Sequence, residues 1–244
     1  MRYNFLSSNM KNTLFVFSLL PFISLGQLKF LPKSQGELIN HTYYSLSYSE
    51  EHEQAEWVHY KLNETMLKGV VPRRDSFKSD KSVSTGSAVL ADYKRSGYDR
   101  GHLVPAGDMK LSKKSMSETF YLSNIAPQYA SFNRGIWKNL ESRIRVNAKE
   151  TELYITTGGV LNSEKRETIG TNNVTVPKQF YKIIYDAKRQ LMYAFLMPNK
   201  KLNSIEKYAV SVDKIEALTG IDFYSDLVDE LENKLESLIR VLPH

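Results

Sequence analysis

Short apolar runs bounded by turn-forming residues predict strands in both halves of the chain. Residues 43–48 alternate aromatic and small polar side chains, and residues 153–158 form an apolar run that ends at glycine. Both patterns are typical of strands. Residues 180–185 and 191–197 flank the polar turn 186–190, which is the pattern of a β-hairpin. Together these elements predict a sheet that contains antiparallel pairs.

Apolar residues at helical spacing predict three helices. Residues 51–67 carry such a pattern and are followed by Gly69 as a stop signal. Residues 205–218 and 224–238 are amphipathic, and Asp222 is a candidate N-cap for the second of these two helices. Because strands and helices mix without regular βαβ alternation, we predict an α+β fold with a central, largely antiparallel sheet flanked by helices.

The N-terminal 26 residues differ from the rest of the chain. They hold only two charged residues, and the apolar run 13–25 precedes Gly26, a small residue suited to a cleavage site. A transmembrane anchor is the alternative, but serine and proline interrupt this short run, which disfavours a span of about 30 Å. We therefore predict a signal peptide at 1–26, cleaved near Gly26, and a single domain at 27–244. The mature protein is predicted to be secreted or periplasmic, without stable membrane association.

Composition narrows the choice of chemistry. Of the 244 residues, 41% are hydrophobic and 25% are charged, as in ordinary globular proteins. The absence of cysteine excludes a thiol nucleophile, a cysteine-ligated zinc site and disulfide bonds. Basic residues outnumber acidic ones by twelve to six at 61–114, whereas eight acidic and two basic residues lie at 213–236. This asymmetry suits a polyanionic ligand on one side of the molecule, although an ordinary solvated surface explains it equally well.

Candidate chemistry is concentrated at 98–145. There Asn133, Trp137, Glu141 and Arg145 recur every four residues, and on a helix they form one stripe. Trp137 would anchor the stripe to the protein body, and Asn133 would lie near the helix start. Glu141 would lie about 12 Å further along the axis, so one ion could hardly contact both side chains directly. We therefore expect Asn133 to ligate a cation and Glu141 to hold a metal-bound water.

These residue types fit the hydrolysis of a phosphodiester. That reaction needs a base to activate water, a cation at the leaving oxygen and positive charge at the phosphoryl oxygens. His102 can be the base, since free imidazole has a pKa of about 6.5. Arg100 and Arg145 can contact phosphate in bidentate fashion. Oxygen ligands from few protein groups favour Mg²⁺ as the cofactor, with Mn²⁺ as the alternative. Spacing alone predicts this reaction class and leaves the substrate open.

The segment Asp99–Arg100–Gly101–His102 resembles the DRGH motif of the DNA/RNA non-specific endonuclease family. Three further blocks follow in the order and at the spacing of that family: SNIAPQ at 123–128, FNRGIW at 132–137, and Leu140–Glu141. Four linked blocks are far more specific than a single four-residue motif. The similarity extends over residues 43–238.

The resemblance implies a ββα-metal (His-Me finger) nuclease fold, in which a strand hairpin carrying His102 packs on a helix that begins near Asn133. It implies that His102 activates water and that Asn133 is the only direct protein ligand of Mg²⁺. The other implied roles are as follows: Glu141 orients metal-bound waters, Asn124 supports the histidine region, Arg100 and Arg145 lie near phosphate, and either Arg73 or Arg74 assists.

The same resemblance implies an endonuclease that cuts both strands of a duplex, acts on DNA as well as RNA, and leaves 5′-phosphate ends. Many members of the family are dimers. The expected partners are DNA and RNA as substrates, with a second copy of the chain and an inhibitor protein as further candidates. Two other functions are weighed: a catalytically silent nucleic-acid-binding protein, and a single-metal phosphoesterase that acts on small esters. The presence of His102, Asn133 and Glu141 disfavours the silent protein, because binding alone needs none of them.

Each site residue also has a purely structural interpretation. His102 could be satisfied by the backbone, Asn133 could be a helix N-cap, and Glu141 could be a surface ion-pair partner of Arg145. Asp99 is expected to fix its loop through the backbone or an arginine, with metal ligation or orientation of His102 as alternatives. Three further residues are expected to be ordinary structural histidines: His41, His52 and His59.

Overall fold

The computed structural model describes residues 1, 28–33, 35–162 and 165–243, so the predicted signal peptide lies outside the described residues except for Met1. None of the helices in this part of the chain is long and apolar enough to cross a membrane. The described residues form eleven strands and six α-helices, in the order β1 (Glu37–Asn40), β2 (Tyr44–Ser49), β3 (Gln54–Leu62), α1 (Glu64–Leu67), α2 (Leu90–Tyr93), β4 (Asp99–His102), α3 (Lys113–Glu118), β5 (Ile125–Gln128), α4 (Lys138–Asn147), β6 (Leu153–Gly159), β7 (Thr168–Ile169), β8 (Val174–Thr175), β9 (Gln179–Asp186), β10 (Leu191–Pro198), β11 (Ala209–Val210), α5 (Val212–Thr219) and α6 (Asp229–Glu236).

Seven strands form the main sheet, in the order β1-β2-β3-β6-β9-β10-β11. Every neighbouring pair in this sheet is antiparallel. Strands β4 and β5 form a separate antiparallel pair, and β7 pairs with β8. The predicted α+β fold with a largely antiparallel sheet is confirmed.

Strand β9 shows that the main sheet is buried on both faces. Its side chains alternate between the faces, as they do in any strand. Phe180 and Ile184 belong to the core that also contains the apolar side of α4, whereas Tyr181 belongs to the core under α5 and α6. We call these the α4 face and the α5/α6 face. Leu103 and Ala126 join the core of the α4 face, so the β4–β5 pair lies on that side.

The predicted strands at 43–48 and 153–158 correspond to β2 and β6, and the predicted hairpin corresponds to β9 and β10. The helix predicted at 51–67 is wrong, because β3 occupies most of that range and only α1 is helical. Strand β3 lies inside the sheet with apolar residues on both faces: Trp57 contacts the α5/α6 core, and Tyr60 contacts the α4 core. A doubly buried strand lacks polar alternation, so its apolar positions can match helical spacing by chance.

The two C-terminal helices are shorter than predicted. The first begins only at Val212, because Ala209–Val210 pairs with β10 as the edge strand β11. The side chain of Ser211 then caps α5 by accepting a hydrogen bond from the Lys214 backbone N–H. The second is reduced to α6, whose N-cap residue is Val228. The prediction of Asp222 as N-cap is therefore wrong.

Candidate active site

The β4–β5 pair presents His102 at the end of a short strand. The register places Asp99 opposite Gln128 and His102 opposite Ile125. The Gln128 side chain lies directly over Gly101, where an added Cβ would be 2.2 Å from the Gln128 Cδ atom. Only glycine fits this approach, which gives the third position of the DRGH segment a steric reason.

The imidazole of His102 is buried and only 8% exposed. It packs edge-on against Phe120 at 4.9 Å between ring centroids and lies 5.5 Å from the Phe77 ring. Burial, reinforced by the positive charge of Arg73, lowers the pKa of His102 to about 3. Within the described part of the chain, its Nε2 atom has no hydrogen-bond partner. The ring is thus a neutral base with one nitrogen unclaimed by protein groups.

Asn124 holds the chain that follows His102. Its side-chain Nδ2 donates to the carbonyls of Val104 (3.1 Å) and Thr119 (2.9 Å), and its Oδ1 accepts from the Val104 N–H at 2.9 Å. Its own carbonyl accepts from the Leu103 N–H at 3.0 Å. Asn124 is fully buried, so these bonds replace water for several backbone groups. Asn124 therefore fixes the backbone directly after the His102 ring.

Asp99 connects the strand to the segment that carries Asn133. Its Oδ2 atom accepts from Asn133 Nδ2 at 2.9 Å, and Arg134 donates to both carboxylate oxygens at 2.8 and 2.6 Å. These bonds match the expectation that Asp99 fixes the loop through an arginine. Since the Asn133 amide nitrogen is held by Asp99, the amide oxygen is the atom of that side chain able to ligate a cation.

The stripe predicted on a continuous helix is interrupted. Residues Phe132–Trp137 form a π-helical turn in which Gly135 has non-helical φ/ψ angles of −103° and −112°, and α4 starts only at Lys138. Asn133 therefore lies within the π-helical turn and is not an N-cap, and the predicted axial separation from Glu141 does not apply. Trp137 is buried against Phe132 and Phe180, as its predicted anchoring role requires.

Arg145 takes a partner that the sequence did not indicate. Its Nη1 donates to Asp108 Oδ1 at 2.7 Å, and Asp108 also accepts from the Tyr60 hydroxyl at 2.9 Å. Asp108 is fully buried, and the Arg145 side chain is 25% exposed. The alternative that Glu141 is merely the ion-pair partner of Arg145 is wrong, since the two form no salt bridge in the described chain.

Glu141 faces a buried lysine, Lys182 on β9. Burial raises the pKa of Glu141 to about 7 and lowers that of Lys182 to about 8, while each charge favours the ionised form of the other. The Lys182 Nζ atom lies 4.7 Å from the Trp137 ring centroid and has no hydrogen-bond partner among the described residues. Sequence reasoning missed Lys182 and Asp108. A lysine inside the apolar run of β9 was a visible signal, whereas Asp108 had none.

The arginines near His102 differ in their position relative to the imidazole and in their contacts. The Arg73 guanidinium lies 5.3 Å from the Phe120 ring centroid and lowers the pKa of His102 by its charge. Arg74 instead lines a neighbouring groove. Of the two upstream candidates, the geometry places Arg73 beside the imidazole. Arg100 is exposed and lies 4.3 Å over the Phe77 ring.

Two basic grooves border this site. The first contains part of the segment that leads from Val71 to Lys78, and the second contains Asp99 and Arg100 of β4. Lysine and arginine side chains along a groove favour a polyanionic backbone over a small neutral ligand. The basic residues of the two grooves are Arg74, Lys78, Lys113 and Lys114 in the first, and Lys94, Arg95 and Arg100 in the second.

The two side chains predicted to hold the cation offer oxygen atoms, which suit a hydrated, hard cation. These are the Asn133 amide oxygen and the Glu141 carboxylate, and the latter forms no ion pair in the described chain. Mg²⁺ typically keeps several waters and uses one or two protein oxygens. The three other described histidines, as expected, are engaged by structural partners: His41 by Asp80, His52 by Thr175, and His59 by Thr156 and the Lys29 carbonyl.

Comparisons with known proteins show the family of the chain. The family model for DNA/RNA non-specific endonucleases matches residues 24–230. The chain is 34% identical to the mitochondrial nuclease EXOG of Danio rerio over 217 residues, covering 81% of this chain and 63% of the relative. It is 33% identical to nuclease C1 of Cunninghamella echinulata, covering 80% and 86% respectively. It is 34% identical to human mitochondrial endonuclease G, covering 76% and 68%.

Solved structures give the same result. The fold matches a chain in the crystal structure of the EndoG/EndoGI complex, which addresses the mechanism of EndoG inhibition. The TM-score is 0.73 at 33% identity, and the match covers 80% of this chain and 89% of that chain. The ββα-metal nuclease fold implied by the DRGH segment is therefore confirmed. The chain belongs to the DNA/RNA non-specific endonuclease family, a family of metal-dependent nucleases.

Proposed function

We propose that this chain is a Mg²⁺-dependent, sugar-non-specific endonuclease that hydrolyses DNA and RNA to 5′-phosphate ends. The observation that carries the proposal is the buried, neutral His102, whose Nε2 is free of protein partners. A buried polar atom without a partner is rare in folded proteins, and it is expected where a water or substrate must be contacted. Mn²⁺ is the alternative cofactor.

His102 is the proposed general base. Its Nε2 takes a proton from the attacking water, the water oxygen bonds to phosphorus, and the bond from phosphorus to the 3′-oxygen breaks. The 3′-oxygen takes up a proton and leaves as a hydroxyl, and the phosphate stays on the 5′-oxygen of the other fragment, which gives the 5′-phosphate end. Removal of such a base lowers the rate by about 10²- to 10⁴-fold.

Asn133 is the proposed direct protein ligand, and Glu141 is proposed to hold metal-bound water. A bound Mg²⁺ supplies positive charge at the leaving oxygen. Arg73 and Arg100, which flank the imidazole, are proposed to contact the phosphoryl oxygens. Arg145 is already paired with Asp108, so we assign it electrostatic support of the site through that pair.

The lack of sequence preference is proposed to follow from the basic grooves. Lysine and arginine contacts reach the phosphate backbone, which is common to every sequence and to both sugars. Specific readout would instead require side chains directed at base edges. The binding affinity should therefore fall steeply with salt concentration, because bound counterions are released from the polymer.

We propose the partners and the location of the protein from its sequence. The solved EndoG/EndoGI complex supports an inhibitor protein as a partner class. A homodimer would be tested by light scattering of the purified protein. Export with cleavage near Gly26 would be tested by N-terminal sequencing of protein from the culture medium. Retention of residues 1–26 in the cell-associated protein would contradict it.

The decisive experiment incubates supercoiled plasmid and a structured RNA with the protein in Mg²⁺ and, separately, in EDTA. Cleavage of both polymers only with metal is expected. Intact polymers in both lanes would leave the silent binding protein as the explanation. Faster turnover of a nitrophenyl phosphodiester than of either polymer would favour the small phosphoesterase.

Paired variants test the residue roles. His102→Ala should lose at least about 10²-fold in rate while keeping DNA affinity, and Asn133→Ala should lose its response to Mg²⁺. The matched controls are His52→Ala and Asn139→Ala, the latter an exposed position on α4. Both controls should cut at the wild-type rate. Equal activity of His102→Ala and wild type would overturn the base assignment.

A further inference from the structure

The acidic segment at 213–236 is not explained by the nuclease site. It forms α5 and α6, which pack on β10 at the face of the main sheet opposite the catalytic residues. Eight acidic residues against two basic ones lie in this stretch. A concentration of like charge at one place destabilises a fold unless a counterion or proton relieves it.

Three of these carboxylates converge. Asp213 and Glu216 lie three residues apart on α5 and so share one side of that helix. Glu236 is the last residue of α6. One ligand oxygen from each of the three lies within 4.8 Å of the others. Two helices thus contribute acidic groups to one point.

A second observation concerns Glu236 itself. Its side chain is buried, with 5% exposure, and its Oε1 atom has no hydrogen-bond partner among the described residues. A buried carboxylate oxygen without a donor is costly, since burial removes its hydration. Burial raises the pKa of Glu236 to about 9, and the charge of Glu216 adds to that rise. Among the described residues, no salt bridge or hydrogen bond gives this Glu236 oxygen a positive partner.

The surroundings do not supply that partner. Asp213, Glu216 and Glu236 form no salt bridge within the described chain. The nearby Lys33 is paired with Asp222 instead. Glu216 is held in place by a hydrogen bond that it accepts from the Phe223 N–H at 2.8 Å. Asp213 is exposed and leaves solvent access to the cluster.

We propose that Asp213, Glu216 and Glu236 bind a Ca²⁺ ion that links α5 to α6. Ca²⁺ accepts six to eight oxygen ligands in flexible geometry, including carboxylates that bind through one or both oxygens. Mg²⁺ requires a near-ideal octahedron and is seldom held by several protein carboxylates. The ion would give the unpartnered Glu236 oxygen a partner and neutralise the repulsion. Because the cluster lies on the α5/α6 face, its role is structural and separate from the proposed catalysis.

The direct test compares thermal unfolding of EDTA-treated full-length protein in CaCl₂, MgCl₂ and KCl of equal ionic strength. Ca²⁺ sites in extracellular modules have dissociation constants of about 10⁻⁴–10⁻³ M. Ca²⁺ at about 10 mM, which is about 10 to 100 times that constant, should raise the melting temperature by about 3–10 °C. MgCl₂ should give a smaller rise. The same comparison in Asn133→Ala removes any contribution from the proposed catalytic metal.

Three variants distinguish Ca²⁺ binding at this cluster from a nonspecific effect of the acidic surface. Glu236→Gln should abolish the Ca²⁺-dependent rise, and Asp213→Asn should weaken it without disturbing the packing, since Asp213 is exposed. Glu230→Gln removes one exposed acid from the same helix and should keep the full rise. All three should cut plasmid in Mg²⁺ at the wild-type rate, so the outcome is independent of the proposed nuclease mechanism.

Equilibrium dialysis with ⁴⁵Ca²⁺ completes the test. Wild type should bind one more Ca²⁺ than Glu236→Gln, and Asn133→Ala should retain that ion. If Ca²⁺ neither binds nor raises the melting temperature of wild type beyond KCl, the proposal is overturned. The cluster would then be a group of carboxylic acids that share protons.

Discussion

The bond between Asp99 and Asn133 allows a sharp prediction about metal affinity. Asp99 accepts one hydrogen bond from the Asn133 amide at 2.9 Å and two from Arg134 at 2.8 and 2.6 Å. Asp99→Ala removes all three. The Asn133 amide would then be free to rotate, and its oxygen would no longer be directed by a neighbour. We expect the Mg²⁺ dependence of cleavage to weaken.

The magnitude depends on which of these bonds matters. The Arg134 side chain is 73% exposed, and exposed ion pairs contribute about 0–1 kcal/mol to stability. Losing a partner that orients a metal ligand costs about 10- to 100-fold in metal affinity, or about 1.4–2.7 kcal/mol. Asp99→Ala should therefore raise the half-saturating Mg²⁺ concentration by that factor. Arg134→Ala should change it by less than about threefold.

The assay measures initial rates of cleavage of a fluorescent duplex across a range of Mg²⁺ concentrations. Asp99→Asn provides an intermediate case, because its amide oxygen still accepts a bond from Asn133 without the charge, so a shift below about tenfold is expected. Circular dichroism melts confirm that each variant is folded. A wild-type half-saturating concentration for Asp99→Ala would refute the orienting role. Equal shifts for Asp99→Ala and Arg134→Ala would assign the effect to the ion pair instead.

Three further predictions follow from the same geometry. Because burial and the Arg73 charge lower the pKa of His102 to about 3, its imidazole should stay neutral from about pH 5 to pH 8. Ring nitrogen NMR shifts check this, and a midpoint of about 6.5 would contradict it. Lys182→Met removes a charge that lowers the pKa of Glu141, so less Glu141 is ionised at neutral pH. Activity at pH 7 should fall by about fivefold for the first unit of rise in that pKa and recover toward pH 9, whereas identical pH–rate profiles would exclude the effect. Asn124→Ala leaves two carbonyls and one N–H without their buried partner, so the free energy of unfolding in urea should fall by about 3 kcal/mol. A loss below about 1 kcal/mol would mean that water replaces the amide.

The parts of the site that the sequence predicted best are those whose residues belong to the four linked motif blocks. The DRGH segment is a strand, and the Gln128 side chain lies so close over Gly101 that only glycine fits there. The glycine of the motif therefore follows from the packing of the strand pair. Trp137 is a buried anchor, as its apolar character within a polar segment indicated. Asp99 accepts hydrogen bonds from Arg134, in line with the prediction that an arginine would hold Asp99 in its loop.

The parts that the sequence missed depend on contacts that no motif block marks. Asp108 and Arg145 are 37 residues apart, and no local pattern connects them. The strand β3 was predicted as a helix because its neighbours in the sheet, which are remote in sequence, decide its conformation. The π-helical turn at Phe132–Trp137 depends on the backbone angles of Gly135, and a glycine alone does not predict which angles it adopts.

The two faces of the sheet give the charge asymmetry of the sequence a structural meaning. Basic grooves border the β4–β5 pair on the α4 face, whereas the acidic helices α5 and α6 cover the opposite face. A polyanion approaching such a molecule is attracted to one side and repelled from the other, which favours productive encounters at low salt. A structural Ca²⁺ between the acidic helices would reduce the repulsion within that face without removing its net negative charge. Binding of Ca²⁺ at that site should therefore change the thermal stability of the protein much more than its rate of association with DNA.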